Sequence, residues 1–147
     1  MNVIVLKNGA LAVIAACGSF LAHALGGWDA AMQVLVALMV ADYITGVLLA
    51  AVWHKSTKSQ SGALDSKAGF KGLLKKCMIF VLIMIGVLLD HAMGTEYIRM
   101  AVVLFFIGNE GISLLENLGL MGVPYPEFLH RALEALHEQG DQGDKEG

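Results

Sequence analysis

Two carboxylates, Asp42 and Glu110, each sit near the middle of a long apolar stretch, one from Ala30 to Trp53 and the other from Tyr97 to Gly119. A carboxylate at bilayer midplane costs several kcal/mol, so it is usually functional and seldom accidental. Soluble domains are about 45–50% apolar. Here 56% of 147 residues are hydrophobic, and the charges are segregated from the apolar runs. Those runs approach the ~20 residues that a spanning helix needs. The pattern predicts an all-α integral membrane protein, a bundle of three to four transmembrane helices with a deliberately polar interior.

Four candidate spans stand out. The first, residues 8–25, is the weakest, because Ala and Gly contribute little to insertion. Gly9, Ala12, Ala16, Ser19, His23 and Gly26 give it one small, faintly polar face. The second, 30–53, is flanked by Trp28 and Trp53, suited to anchor at the interfaces. The third covers 77–93, short enough that Lys75 and Lys76 are expected to snorkel at its inner end. The fourth covers 97–119. No cleavable signal peptide is evident, so the N-terminal apolar run is expected to stay attached. Cys17 and Cys77 read as small hydrophobic residues, and His23 as a packed interfacial one.

The loop 54–76 holds Lys55, Lys58, Lys67, Lys71, Lys75 and Lys76 against Asp65. The positive-inside rule makes it cytoplasmic. Four spans then place both termini inside; three place the N-terminus outside. Lys67, Lys71 and Lys75 recur on one helical face, which fits a helix lying at anionic headgroups with Lys76 beside it, or a solvated topogenic cluster. No aromatic interleaving supports nucleic-acid binding. Residues 1–125 thus form the expected transmembrane domain. Within 126–147, Phe128, Leu129, Ala132, Leu133 and Leu136 trace an amphipathic cytoplasmic helix, followed from Glu138 by a disordered acidic tail.

The two acidic spans carry polar faces. On the fourth, Arg99, Phe106, Glu110, Ser113 and Asn117 align, flanked by Asn109 and Glu116. On the second, Ala37, Ala41 and Thr45 run beside Asp42, Gly46 and Ala50, small ridges that let helix backbones approach. Asp42 and Glu110 both lie about 12–13 residues from the outer ends, or ~18–20 Å at ~1.5 Å per residue. No base is expected at that depth. Two states follow: burial holds the acids neutral, or a wet cavity keeps them ionised. Glu116 lies close enough to the inner surface to reach water. No metal-ligand spacing, phosphate loop or nucleophilic triad appears, so neither a cofactor nor an enzyme is expected.

Asp42-Tyr43-Ile44-Thr45-Gly46 resembles the corresponding segment of the phage-lysis and toxin-secretion holins. So does Asn109-Glu110-Gly111-Ile112-Ser113-Leu114-Leu115-Glu116-Asn117, followed by Gly122-Val123-Pro124-Tyr125-Pro126. The similarity covers about Trp28 to Leu136 and includes the Ser- and Lys-rich inner loop. It implies a protein that accumulates in the bacterial cytoplasmic membrane, oligomerises, and opens a timed lesion. Through that lesion an endolysin or large toxin leaves, without direct binding being required. The family has no catalytic residues to carry over. The acids would sit sealed and neutral until a rearrangement, sensitive to membrane potential at ~2.3 kcal/mol per charge per 100 mV, turns them toward water. Two other readings of the polar faces are a proton or cation channel or transporter subunit using Asp42 and Glu110, and a membrane scaffold.

Overall fold

The computed structural model describes residues 3–58, 61, 63 and 65–142. Within them the chain is helical throughout: α1 is Val3–Ala24, α2 Ala30–Leu48, α3 Ser66–Met93, α4 Ile98–Leu120 and α5 Glu127–Gln142. The first four are long and apolar enough to cross a membrane. Spans two and four fall where the apolar runs place them. α2 starts at Ala30, capped by the Asp29 side chain accepting from the Met32 amide at 2.9 Å. It continues as a π-helical turn over Leu49–Trp53 and ends at His54, whose left-handed backbone turns the chain away.

Three boundaries differ from the sequence reading. α1 starts at Val3 rather than at residue 8. α3 starts at Ser66, not at 77: Asp65 caps it by accepting from the Lys67 amide, and the helix then runs unbroken to Met93. Its 28 residues span about 42 Å at ~1.5 Å each, against a hydrocarbon core of ~30 Å. Lys67, Lys71 and Lys75, expected on one helical face, ride on the inner turns of α3 itself. At the C-terminal end α5 continues through Gln142, past Glu138 where the sequence reading placed the tail. Residues 143–147 of that tail lie outside the described residues.

α4 is the centre of the bundle, with α2, α3 and α5 packed around it. The core between α2, α3 and α4 is Met32, Leu35, Met39, Ile79, Ile83, Val103 and Ile107. Lipid is as apolar as these side chains, so in a bilayer their close fit, and not the hydrophobic effect, favours contact. α1 contributes no buried residue and presents Val5, Leu6, Val13, Ile14 and Phe20 to its surroundings. Gly26 and Gly27 join it to α2 with positive φ. Gly26 is also tightly confined: a Cβ there would stand 2.6 Å from the Arg99 side chain.

Candidate functional site

Charged groups collect at two places where helices meet. The inner cluster joins α2, α3 and α4. Asp42 is 2% exposed and Glu110 6%, and Lys76 of α3 reaches between them. Its Nζ donates to Asp42 Oδ2 at 2.9 Å and to Glu110 Oε2. Lys58, from the segment after α2 and half exposed, adds a longer contact to Asp42 Oδ2 at 3.4 Å.

This corrects the expectation that no base shares the depth of the two acids. Measured from the outer helix ends, Lys76 lies about five residues deeper than Glu110, roughly 7 Å at ~1.5 Å per residue. A lysine on its four-carbon stem covers that offset. Counting apolar residues from Cys77 onward left Lys76 outside the third span, whereas the longer helix presents it to the two acids. The Lys76 side chain is correspondingly only 12% exposed. Lys67, Lys71 and Lys75 remain exposed.

A hydrogen-bond layer fastens the same place. Asn117 Nδ2 donates to Asp42 Oδ1 at 2.9 Å and to Thr45 Oγ1 at 3.1 Å. The Thr45 hydroxyl donates in turn to the Ala41 carbonyl at 2.8 Å. Gly46 faces the same junction, where a Cβ would lie 3.7 Å from Asn117 Nδ2, an ordinary contact. Beside it a cavity of about 430 Å³ is lined by Asp42, Lys71, Lys75, Lys76, Glu110 and Ser113, among others. Of the polar set read from sequence, Asp42, Thr45, Gly46, Glu110 and Asn117 converge. Ser113 and Asn109 border the cavity, and Asn109 and Glu116 are exposed.

Among the described residues no buried side-chain nitrogen or oxygen lacks a hydrogen-bond partner. An ion pair of this kind adds little net stability, because desolvation offsets attraction. Removing one member, however, strands a buried charge at about 3–5 kcal/mol. The cluster therefore enforces one arrangement of three helices. The seven-residue steps of α4 identified its acids and amides; nothing in that periodicity identified the lysine on α3.

The outer cluster brings Arg99 and Asp90 together with the α1–α2 turn, and it is the turn that the sequence reading left out. Arg99 is 8% exposed. Its Nε donates to the Leu25 carbonyl and its Nη1 to Asp29 Oδ2, both at 2.6 Å, with Nη2 reaching the Gly27 carbonyl at 3.2 Å. One guanidinium thus ties the α1–α2 turn to the start of α4. The Arg99 hydrogen bond holds the Asp29 carboxyl below its usual range, against some opposing desolvation and with help from the Met32 amide. Asp90 completes the cluster. It accepts from the Thr95 hydroxyl and from the backbone amides of Ile98 and Arg99, taking up donors that the first turn of α4 leaves free.

The bacteriophage holin family matches residues 19–138. A protein described as a probable holin, from Bacillus phage phi105, is 30% identical over 112 residues, covering 76% of this chain and 77% of its own length. An uncharacterised protein of Clostridium perfringens is 36% identical over 126 residues, covering 84% of this chain and 87% of that one. One of Listeria innocua is 37% identical over 144 residues, with 97% and 94% covered. No solved structure matches.

Proposed function

The chain belongs to the bacteriophage holin family, and from that premise we propose that it oligomerises in the bacterial cytoplasmic membrane and forms timed lesions that release an endolysin or a large toxin. The observation that carries this is the family match, which spans the charged helices and the junction between them. The four apolar helices fit a multi-pass membrane protein. In our reading the lysine-rich segment and the start of α5 lie on the cytoplasmic face, where positive charge is retained. Lys67, Lys71 and Lys75 contact anionic headgroups there.

The internal charges supply the part of the mechanism that family membership does not. Asp42, Lys76, Glu110 and Asn117 hold α2, α3 and α4 as one unit while the protein accumulates, so the lesion opens between copies and not by unravelling each one. The exposed Asn109 and Glu116 are left to meet neighbouring copies or water. The transport reading has weaker support, because the two carboxylates already share Lys76 and offer no vacant pair to a passing cation.

Induced expression in a bacterium, with and without a cytosolic muralytic enzyme, tests the proposal. Abrupt growth arrest and dye entry are expected in both cultures, and lysis only in the one containing the enzyme. Selective ion flux in intact cells would favour the transport reading instead. A membrane left sealed at every dose would favour a scaffold.

A further inference from the structure

The polar surface exposed alongside a spanning helix belongs to α5. As residue numbers rise along α5 they fall along α4: Leu133 stands against Gly111, His137 against Gly108, and Gly140 against Ala101 and Phe105. The two helices are therefore antiparallel, and α5 follows α4 back from its inner end past the level of Glu110.

Glycine makes this seat. A Cβ at residue 108 would lie 2.5 Å from His137 Cβ, and one at 111 would lie 2.6 Å from a Leu133 methyl. On the α5 side, a Cβ at 140 would collide with the Phe105 backbone. His137 also rests its ring on Phe105, centroids 4.1 Å apart, with Nδ1 3.2 Å from the Phe105 carbonyl oxygen. Backbones so close, with glycines contributed by both helices, mark a fitted contact between α4 and α5.

The opposite face of α5 carries Arg131, Glu134, Glu138 and Asp141, all exposed. Hydrocarbon rejects such groups, which at membrane depth face a protein interior or water. The inner acids of α2 and α4 are buried and already paired with Lys76, which leaves the exposed face of α5 the better candidate for a wet wall.

We infer that α5, docked on the glycine face of α4, lines the aqueous lumen enclosed by several copies of this chain, with Arg131, Glu134 and Glu138 turned to the water. This rests on the lesion-forming reading above and names the wall of the lesion. It also limits the cytoplasmic C-terminus expected from sequence to the undocked helix, since docking carries Gly140 toward the outer end of α4.

The test uses the full chain with Cys17→Ala and Cys77→Ala, expressed beside a muralytic enzyme. Oxidation should cross-link the pair Gly108→Cys with His137→Cys in membranes, and the cross-linked protein should still release the enzyme. A membrane-impermeant thiol reagent should label Glu134→Cys several-fold faster than Leu133→Cys once lysis has been triggered. Equal labelling of the two, or a cross-link that blocks release, would overturn the inference by showing that α5 works away from α4. Because a cysteine at residue 108 sits in a tight contact, a second variant is needed: Glu134→Leu with Glu138→Leu. It should accumulate normally yet delay release, and release on the normal schedule counts equally against a wet α5. A wild-type chain that never releases the enzyme defeats the lesion reading itself, which separates the two failures.

Discussion

The inner and outer charged clusters are built from the same ingredients and do different work. Inside, Lys76 lies between Asp42 and Glu110, so charge meets charge across three helices among largely buried side chains. Outside, Arg99 mostly satisfies backbone carbonyls of the α1–α2 turn, and its acid, Asp29, keeps 41% of its side chain exposed. If Lys76 is missing, the inner cluster keeps the longer, half-exposed Lys58 contact to Asp42. The outer one has water. Burial therefore sets how much each cluster contributes, more than the number of its bonds.

The sharpest way to break this contrast is Lys76→Met, which leaves two buried carboxylates face to face. It should destabilise the bundle by about 3–5 kcal/mol, read as a lower midpoint of thermal unfolding in detergent micelles. Adding Asp42→Asn and Glu110→Gln should restore most of that loss, since neutral partners need no counter-charge. A triple variant no more stable than Lys76→Met would show that shape, not charge, holds the inner junction.

Asn117→Ala tests the neighbouring layer. It withdraws the donor shared by Asp42 and Thr45 and should cost about 1–3 kcal/mol, the usual penalty for an unsatisfied buried acceptor. Arg99→Lys should cost less, about 1–2 kcal/mol, because one ammonium cannot reproduce the guanidinium's fork while water replaces part of what is lost. Its more specific effect should be at the α1–α2 turn, seen as faster proteolysis near Gly26 and Gly27.

The smallest effect concerns pH. The folded-state pKa of Asp29 is depressed below the ordinary 3.8. Its contribution is thus complete above that value and lost as pH falls through the lower folded one. Purified protein titrated from about pH 5 to about pH 2 should loosen first at the α1–α2 turn. An Asp29→Asn variant should show a flatter profile over the same window.

The second and fourth helices were legible because a run of apolar residues near membrane length needs no tertiary context to be recognised. The acids and amides of α4 were legible for a similar reason, since helical periodicity puts Glu110, Ser113 and Asn117 on one side. Arg99 was read to that face as well, but its partners were not, because they are carbonyls of a turn more than seventy residues away and carbonyls leave no mark in composition. α3 was cut short because its apolar run ends at the lysines, while the helix extends to the Asp65 cap. That difference hid Lys76, and with it the answer to how two buried acids are neutralised. The tail after Glu138 was read as polar solvated chain. Gly140 instead packs against α4 backbone, a fit visible only with both helices in place.

Sequence alone determined the class of environment this chain needs, since length, apolarity and the placement of charge are properties of each segment by itself. It also determined that the interior carries acids. Tertiary structure decided who pairs with whom: Lys76 with both carboxylates, Arg99 with the first turn, α5 with the glycines of α4. Those choices depend on offsets of a few ångströms between helices distant in the chain, and a one-dimensional pattern does not encode such offsets.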